Sequence, residues 1–124
     1  EGRPRTLRQR APARLPQLAV ASELARTVRH VLYSRGAGGA YLFSGELALH
    51  ARAPIEPDRI RNTVGCGDTL VAAFIAGVCG GHEAAEALEC AVATATASAC
   101  NVGTANFEPS LLDELRGRMD TTKL

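Results

Sequence analysis

At the centre of this chain lies the stretch NTVGCGDT, residues 62–69, followed by an almost unbroken apolar run, Leu70–Cys79. Gly65 and Gly67 bracket a tight loop, and Asp68 closes it as the first residue of a predicted helix. This order directs backbone N–H groups and one carboxylate to the positive end of a helix, where an anion such as a phosphate binds. Because the run is apolar on nearly every side, we expect the helix to be buried.

The composition is that of one globular domain at most. The chain has 124 residues, of which 46% are hydrophobic and 4% aromatic, and its net charge is +1. The longest apolar run is about half of the roughly 20 residues that a membrane span needs, so we expect no membrane partner. The first residue is Glu1 rather than Met, which suggests a fragment or a processed product.

Residues 1–16 form a basic leader that carries five arginines against Glu1. Such a segment suits nucleic acid or anionic lipid, but no aromatic residues are interleaved for base stacking. Pro4, Pro12 and Pro16 prevent a helix here, and the segment lacks the apolar centre of a secretory signal. We therefore expect an irregular, solvated leader, no nucleic-acid partner, and a folded unit over residues 17–124.

The cysteines and histidines do not follow a metal-binding pattern. Cys66, Cys79, Cys90 and Cys100 contain no Cys-x-x-Cys pair, and the three histidines are isolated from one another, so we expect no zinc site. An even number of cysteines permits disulfides, but three of them lie in apolar helical contexts, where a free cysteine behaves as a small hydrophobic residue. This context favours a reducing, cytoplasmic location.

The hydrophobic pattern predicts an α/β fold, with one sheet and helices packed on it. The predicted helices cover residues 18–29, 68–79, 83–100 and 110–119, and the predicted strands cover residues 30–33, 40–43 and 47–51. A sheet of three strands leaves an open edge, which is unfavourable in a folded protein. We therefore expect this chain to be part of a larger one.

The tetrapeptide at residues 65–68 suits phosphoryl transfer. In that reaction fixed donors stabilise the charge on the moving group, and one such donor typically contributes about 3 kcal/mol. The amides of Gly65, Cys66 and Gly67 would be those donors, and Asp68 would accept the proton of an attacking hydroxyl. On spacing alone, a glycine loop with Asp68 as an ordinary helix N-cap is equally favoured.

A second glycine-rich loop, Ser34–Gly39, follows a predicted strand. It is not a Walker loop, because no Gly-Lys-Ser/Thr follows, and it is not a dinucleotide fingerprint, because a strand rather than a helix comes next. Taken alone, this loop favours a plain β-turn.

Together and in this order, the two loops resemble the C-terminal part of a PfkB/ribokinase-family carbohydrate kinase. The family signature Asp/Asn-Thr-x-Gly-Ala-Gly-Asp is matched by residues 62–68 at all but one position, and the upstream motif Thr-x-Gly-x-x-Gly-Ala is similar to residues 34–40. The sequence of residues 62–68 most resembles the 1-phosphofructokinase and tagatose-6-phosphate kinase branch of the family. The resemblance covers residues 17–119 and implies the C-terminal portion of a ribokinase-like three-layer αβα fold.

The resemblance also implies roles for individual residues. Asp68 matches the catalytic base, and Gly65, Cys66 and Gly67 match the anion hole over the γ-phosphate of ATP. The remaining implied ATP-binding residues are Ser34, Gly36, Gly39 and Asn101, together with Gly67. Some family members bind a monovalent cation such as K⁺ beside this site, and the matching positions are Asn62, Val64, Ser98, Asn101 and Gly103. Mg²⁺ would arrive with ATP, held mainly by phosphates and water.

Two departures from the family pattern bear on these roles. Asn62 replaces an Asp that is common in the family, which weakens the case for the cation. Cys66 replaces the usual Ala, but only its amide is required, and a thiol at a helix N-terminus is expected to have a lowered pKa.

The resemblance implies a sugar or sugar phosphate as the substrate and a homodimer for the full-length enzyme. Family members are at least about twice as long as this chain, and their first half supplies most contacts to the sugar. A non-catalytic nucleotide-binding or interaction fragment, which lacks the substrate half, is therefore the alternative to a carbohydrate kinase.

Overall fold

The fold is built on a mixed sheet. The computed structural model describes residues 8–9 and 16–124, and within them five strands pair in the order β1-β5-β4-β3-β2. The strands are β1 Arg8–Gln9, β2 Val31–Ser34, β3 Ala40–Ser44, β4 Leu47–Arg52 and β5 Asp120–Lys123. β1 and β5 run parallel, and the other neighbouring strands run antiparallel.

Helices cover both faces of this sheet. They are α1 Pro16–Leu24, α2 Cys66–Cys79, α3 Ala84–Ala99 and α4 Pro109–Gly117. The alternation along β3 divides its side chains between two cores, because successive residues of a strand point to opposite faces. Tyr41 and Phe43 pack with α1 on one face, whereas Leu42 belongs to the larger core under the other three helices. The predicted three-layer arrangement is therefore confirmed.

Small side chains let the helices of the larger core pack closely. Ala87, Ala91 and Ala97 of α3 are almost completely buried. A Cβ atom at Gly77 of α2 would lie 2.9 Å from the Cβ of Ala87, so α2 and α3 approach at a distance that only glycine allows at this point. α3 lies between α2 and α4 and positions α2 over the sheet.

The predicted elements are recovered with small shifts at their ends. The hairpin between β3 and β4 turns at residues 45–46, as expected, and α2 begins at Cys66, two residues before the predicted start. The helix predicted over residues 18–29 is shorter, because regular helix ends at Leu24 and turns follow.

Two strands differ from the sequence-based expectation. β5 was not predicted from the sequence. It pairs with β4, and the Thr121 Oγ1 donates a hydrogen bond of 2.5 Å to Glu89 of α3. Arg8 and Gln9 form β1 within the leader that was expected to be irregular. The other residues of the leader lie outside the described ranges, so the division at residue 16 stays a prediction.

The expected burial of α2 is wrong. Leu70 and Phe74 are buried, but the side chains of Val71 and Ile75 are 47% and 54% exposed. One side of the helix packs on α3 and the sheet, whereas nothing among the described residues covers the opposite side. None of the helices in the described ranges combines the length and apolarity that crossing a bilayer requires.

Candidate functional site

A cavity of about 340 Å³ opens where the two glycine loops meet. Ser34, Gly36 and Gly39 line it from the loop after β2, and Cys66 and Gly67 line it from the start of α2. The structure therefore brings five of the predicted site residues to one cavity, although the two loops lie about 30 positions apart in the sequence.

The wall of the cavity away from the loops is mostly apolar. Ala53 and Ile55 contribute from the segment after β4, and Leu70, Val92 and Ala99 contribute from α2 and α3. An apolar slot with a few polar groups at one end is typical of sites that bind small organic ligands. Its dimensions and lining suit an aromatic base, with the glycine loops at its polar end.

The backbone of β4 fixes the conformation of the first glycine loop. The Arg35 N–H donates to the Gly39 carbonyl at 2.8 Å, which closes a turn around a short 3₁₀ segment, Gly36–Gly38. Gly39 has φ +85°, and a Cβ atom there would overlap the carbonyl oxygen of Ala51. Only glycine meets both conditions, so this residue is required by the fold itself.

Two side chains of β4 hold the carbonyl groups of the same loop. His50 Nε2 donates to the Gly38 carbonyl at 2.6 Å, and Arg52 Nε donates to the Ala37 carbonyl at 3.1 Å. The ring of His50 also packs on Tyr41 of β3, with centroids 4.4 Å apart. Because these carbonyls are held by β4, the strand fixes the orientation of the loop.

Sequence analysis did not identify His50 and Arg52. Both lie on the same face of one strand, two residues apart, but neither belongs to a recognisable motif. Their role depends on the pairing of β3 with β4, which brings them beside a loop 12 to 15 positions away. Arg52 also lines the cavity.

The second glycine loop leads directly into α2. Gly65 is the residue before the helix and has φ +80°, and a Cβ atom there would lie 2.5 Å from the Cγ2 of Thr104. Its carbonyl accepts hydrogen bonds from the N–H and the hydroxyl of Thr69, at 2.9 and 3.0 Å. A Cβ atom at Gly67 would meet open space, which places Gly67 on the cavity side of the loop.

Asp68 lies in the first turn of α2, and its side chain is exposed. It follows Gly67 directly and is not itself part of the cavity wall. The side chain is therefore accessible to solvent one residue after a cavity-lining glycine. The first turn also places this carboxylate at the positive end of the helix dipole.

The residues matched to a cation site lie in two loops that contact each other. Asn62 Nδ2 donates to the Val102 carbonyl at 3.0 Å, and the Asn62 Oδ1 accepts from the Val64 N–H at 3.0 Å. On the other loop the Asn101 Oδ1 accepts from the Gly103 N–H at 2.9 Å. Asn101 does not line the cavity, so its predicted contact with ATP gains no support from the cavity.

A buried hydroxyl lies between these loops and the cavity. Ser98 Oγ is shielded from solvent and finds no hydrogen-bond partner of ordinary geometry among the described residues. The buried Ser98 hydroxyl and the neutral carbonyl and amide oxygens of these loops suit a hard monovalent cation, so the residues present fit K⁺. Within the described ranges, no cluster of three or more His, Cys, Asp or Glu side chains could hold a metal ion.

The expected lowering of the pKa of Cys66 is wrong. Burial raises the pKa of the Cys66 thiol above its ordinary value of 9.0, and the nearby Ser98 hydroxyl opposes that rise only in part. The thiol points back to the Asn62 carbonyl, with the two atoms 3.7 Å apart. Burial of the side chain is therefore the main cause of the raised pKa.

The profile of the pfkB family carbohydrate kinases matches residues 12–111, which span both glycine loops and the cavity. The chain belongs to the pfkB family. It is 35% identical over 89 residues to the 1-phosphofructokinase of Bacillus subtilis strain 168, covering 70% of this chain and 29% of that protein. The predicted family is thus confirmed.

Solved structures of pfkB-like kinases share the fold. Phosphofructokinase-2 from Escherichia coli, in complex with potassium, aligns with a TM-score of 0.73 and 23% identity, covering 82% of this chain and 33% of that one. Ribokinase from Thermotoga maritima aligns with a TM-score of 0.69 and 20% identity, covering 82% and 34%. The predicted ribokinase-like architecture is confirmed, and the chain spans about a third of the length of the relatives it is compared with here.

Proposed function

We propose that this pfkB-family chain forms the nucleotide-binding, base-carrying part of a 1-phosphofructokinase-like kinase. The reaction is transfer of the γ-phosphoryl group of ATP to a hydroxyl of a sugar or sugar phosphate. The observation that supports it most is the single cavity at which the Ser34–Gly39 loop and the Gly65–Gly67 loop meet. The apolar wall suits the adenine, and the glycine loops suit its phosphates.

The proposed chemistry uses main-chain donors and one carboxylate. The amides of Gly65, Cys66 and Gly67 lie at the N-terminus of α2, and in this proposal they stabilise the charge of the transferring group. The Cys66 N–H donates to the Thr63 carbonyl at 3.2 Å in this structure, so it would exchange that partner for the transferring group. Asp68 accepts the proton of the attacking hydroxyl, a role that typically contributes about 10²–10⁴ in rate. Because the side chain of Asp68 is exposed, an acceptor that approaches from outside reaches it without rearrangement of α2.

The cofactors in this proposal are ATP, Mg²⁺ and K⁺. Mg²⁺ would neutralise phosphate charge when ATP binds, and Asp68, in the first turn of α2, is the carboxylate that this proposal places beside the second glycine loop. The Asn62–Val64 loop, Ser98 and the Asn101–Gly103 loop would hold K⁺. We place the enzyme in the cytoplasm and infer a homodimer for the longer protein.

Replacing Asp68 tests the proposed base. In the complete enzyme, Asp68→Asn should reduce turnover by about 10²-fold or more, while ATP binds with similar affinity. The matched control is Asp113→Asn, which removes an exposed carboxylate from α4. Near-normal turnover of Asp68→Asn, measured by coupled assay with a panel of sugars and sugar phosphates, would refute the role.

Replacing Cys66 tests the proposed anion hole. Cys66→Ala should keep turnover within a few-fold, because the donor is the main-chain amide. Loss of turnover with an unchanged melting temperature would show that the side chain takes part in the reaction.

The second candidate is a nucleotide-binding fragment without kinase activity. It is favoured by one observation, that the chain covers only 29% of the Bacillus subtilis relative. Incubating the 124-residue chain with ATP and the same panel separates the two. Binding of ATP by calorimetry without any phosphorylated product supports the second candidate for this chain.

A further inference from the structure

One side of α3 forms a wall of the cavity. The four residues that α3 contributes are spaced by three and four positions, which places them on one face of the helix: Val92, Ala95, Thr96 and Ala99. Thr96 therefore adds a hydroxyl to a face that is otherwise apolar. The other polar side chains in the lining belong to the glycine loops or to residues that adjoin them, namely Ser34, Arg52, Thr63 and Cys66.

The proton of the Thr96 hydroxyl is already used within the helix. Thr96 Oγ1 donates to the Val92 carbonyl, one turn earlier in α3, at 2.8 Å. A hydroxyl has one proton to donate and two lone pairs that accept, and no described residue donates a hydrogen bond to this oxygen. The side chain is half-buried in the cavity wall. Thr96 therefore offers a ligand an acceptor and no free donor.

A neighbouring threonine shows what is particular about this position. A bond from a threonine hydroxyl to the preceding turn is common in helices and does not by itself indicate a ligand. Thr94 makes the same bond, to the Cys90 carbonyl at 2.7 Å, but its side chain is buried and does not line the cavity. The two threonines share their chemistry and differ only in what they face.

We propose that Thr96 selects the base of the nucleotide, because its oxygen accepts a hydrogen bond from the exocyclic amino group at position 6 of adenine. The inference rests on the proposed function, which assigns the base to the apolar wall of this cavity. Hypoxanthine and guanine carry a carbonyl oxygen at the same position, so two acceptors would face each other. Thr96 could donate to that carbonyl only by giving up its bond to Val92. The cavity therefore favours adenine nucleotides over 6-oxopurine nucleotides.

The apolar part of the wall does not supply this preference. Adenine and hypoxanthine have the same ring system and nearly the same size, and a hydrophobic pocket discriminates weakly between such ligands. A polar group that is left without a partner on binding penalises the wrong ligand much more. Backbone groups of the lining segment at residues 53–60 are the competing source of selectivity, so the test is made at the Thr96 side chain.

Equilibrium binding of three triphosphates tests the assignment without any need for turnover. ATP carries an amino group at position 6, purine riboside triphosphate carries only hydrogen there, and inosine triphosphate carries a carbonyl oxygen. Calorimetry with the 124-residue chain and Mg²⁺ should give affinities that fall in this order, with ATP about tenfold or more tighter than inosine triphosphate. In Thr96→Val, which removes the hydroxyl and keeps the branched shape, the ratio should fall to within about threefold.

Three further variants complete the comparison. Thr94→Val is the matched control, because it removes the same hydroxyl and the same bond to the preceding turn outside the cavity lining, and it should keep the original ratio. Thr96→Ser should also keep it, since the hydroxyl remains. Thr96→Ala is measured beside Thr96→Val because alanine is the better helix former, and melting temperatures show that the variants are folded. An unchanged ratio in a folded variant without the Thr96 hydroxyl overturns the proposal.

The remaining outcomes separate this inference from the proposed function. If the chain binds ATP and inosine triphosphate equally, the proposal is overturned and the nucleotide site stands. Binding of none of the three triphosphates refutes the nucleotide site and the selective role of Thr96 with it. A preference for ATP that depends on Thr96, in a complete protein that transfers no phosphoryl group, refutes the kinase function and leaves the role of Thr96 intact.

Discussion

The two glycine loops at the cavity use glycine for different reasons. In the first loop Gly39 lies against the backbone of β4, so a side chain there would meet a carbonyl group that cannot move. In the second loop Gly65 lies against the methyl group of Thr104, a side chain that can shift, and Gly67 borders open space. The first loop is therefore constrained by the sheet, and the second is constrained locally and left open to a ligand.

The largest effect should come from Gly39→Ala. The change combines a positive φ with overlap on the Ala51 carbonyl, and the two costs together are about 3 kcal/mol or more. Gly36→Ala is the matched control in the same loop, because Gly36 also has a positive φ but open space around it, and it should cost about 1–2 kcal/mol. Urea denaturation followed by circular dichroism measures both, and equal losses would mean that β4 does not constrain the loop.

For Gly65→Ala we expect a smaller loss in the free energy of unfolding, about 1–3 kcal/mol. Part of it should be recovered in the double variant with Thr104→Ser, which removes the Cγ2 atom that a Cβ would meet at 2.5 Å. A double-mutant cycle with Thr104→Ser alone isolates this coupling. If the two changes add without coupling, the clash is absorbed by backbone movement, and the contact with Thr104 does not constrain the second loop.

Removing the side chains that hold the first loop should lower the free energy of unfolding by less than the glycine substitutions do. His50→Ala and Arg52→Ala each break one hydrogen bond to a loop carbonyl, for which about 1 kcal/mol is typical. Both variants should also weaken ATP binding, because the loop then loses its fixed orientation. Arg29→Ala, at an exposed position before β2, is the control for loss of a positive charge. Unchanged ATP affinity in Arg52→Ala would show that the sheet alone orients the loop.

The contrast between the loops also explains what could be predicted from the sequence. Both loops and α2 were identified because glycine spacing and an apolar run are local signals. β5 was missed because Asp120–Lys123 has no apolar residue, and its strand character comes from pairing with β4. The burial of α2 was overestimated from its apolar sequence. Hydrophobic residues indicate that a helix face tends to be buried, but they do not show whether the residues that would bury it lie in the same stretch of chain.

His50 and Arg52 could not be predicted for a related reason. A histidine and an arginine on a strand carry no motif, and their contact with the loop exists only after the hairpin has formed. The turn at residues 65–68, by contrast, could be placed at the start of a helix from the sequence, because its residues are contiguous, and its catalytic role stays a prediction. The contacts that join separate helices, strands and loops could not be predicted from the sequence.

The smallest effect concerns the thiols beside the second loop. Burial raises the pKa of both Cys66 and Cys100 above 9.0, whereas Cys79 is exposed on α2. Since the thiolate is the reactive form, iodoacetamide at pH 8 should modify Cys79 before Cys66, as measured by peptide mass spectrometry. In urea the difference should disappear, because unfolding removes the burial.

The same shift fixes the sign of a small pH effect on stability. The folded protein holds the Cys66 and Cys100 protons more tightly than the unfolded chain, so their contribution is complete below about pH 9 and is lost as the pH rises through the raised pKa values. Cys66→Ala should therefore flatten the fall in stability above pH 9. Faster alkylation of Cys66 than of Cys79 at pH 8 would contradict this, because it would mean that the helix N-terminus outweighs burial and that the second loop presents a reactive thiol to the cavity.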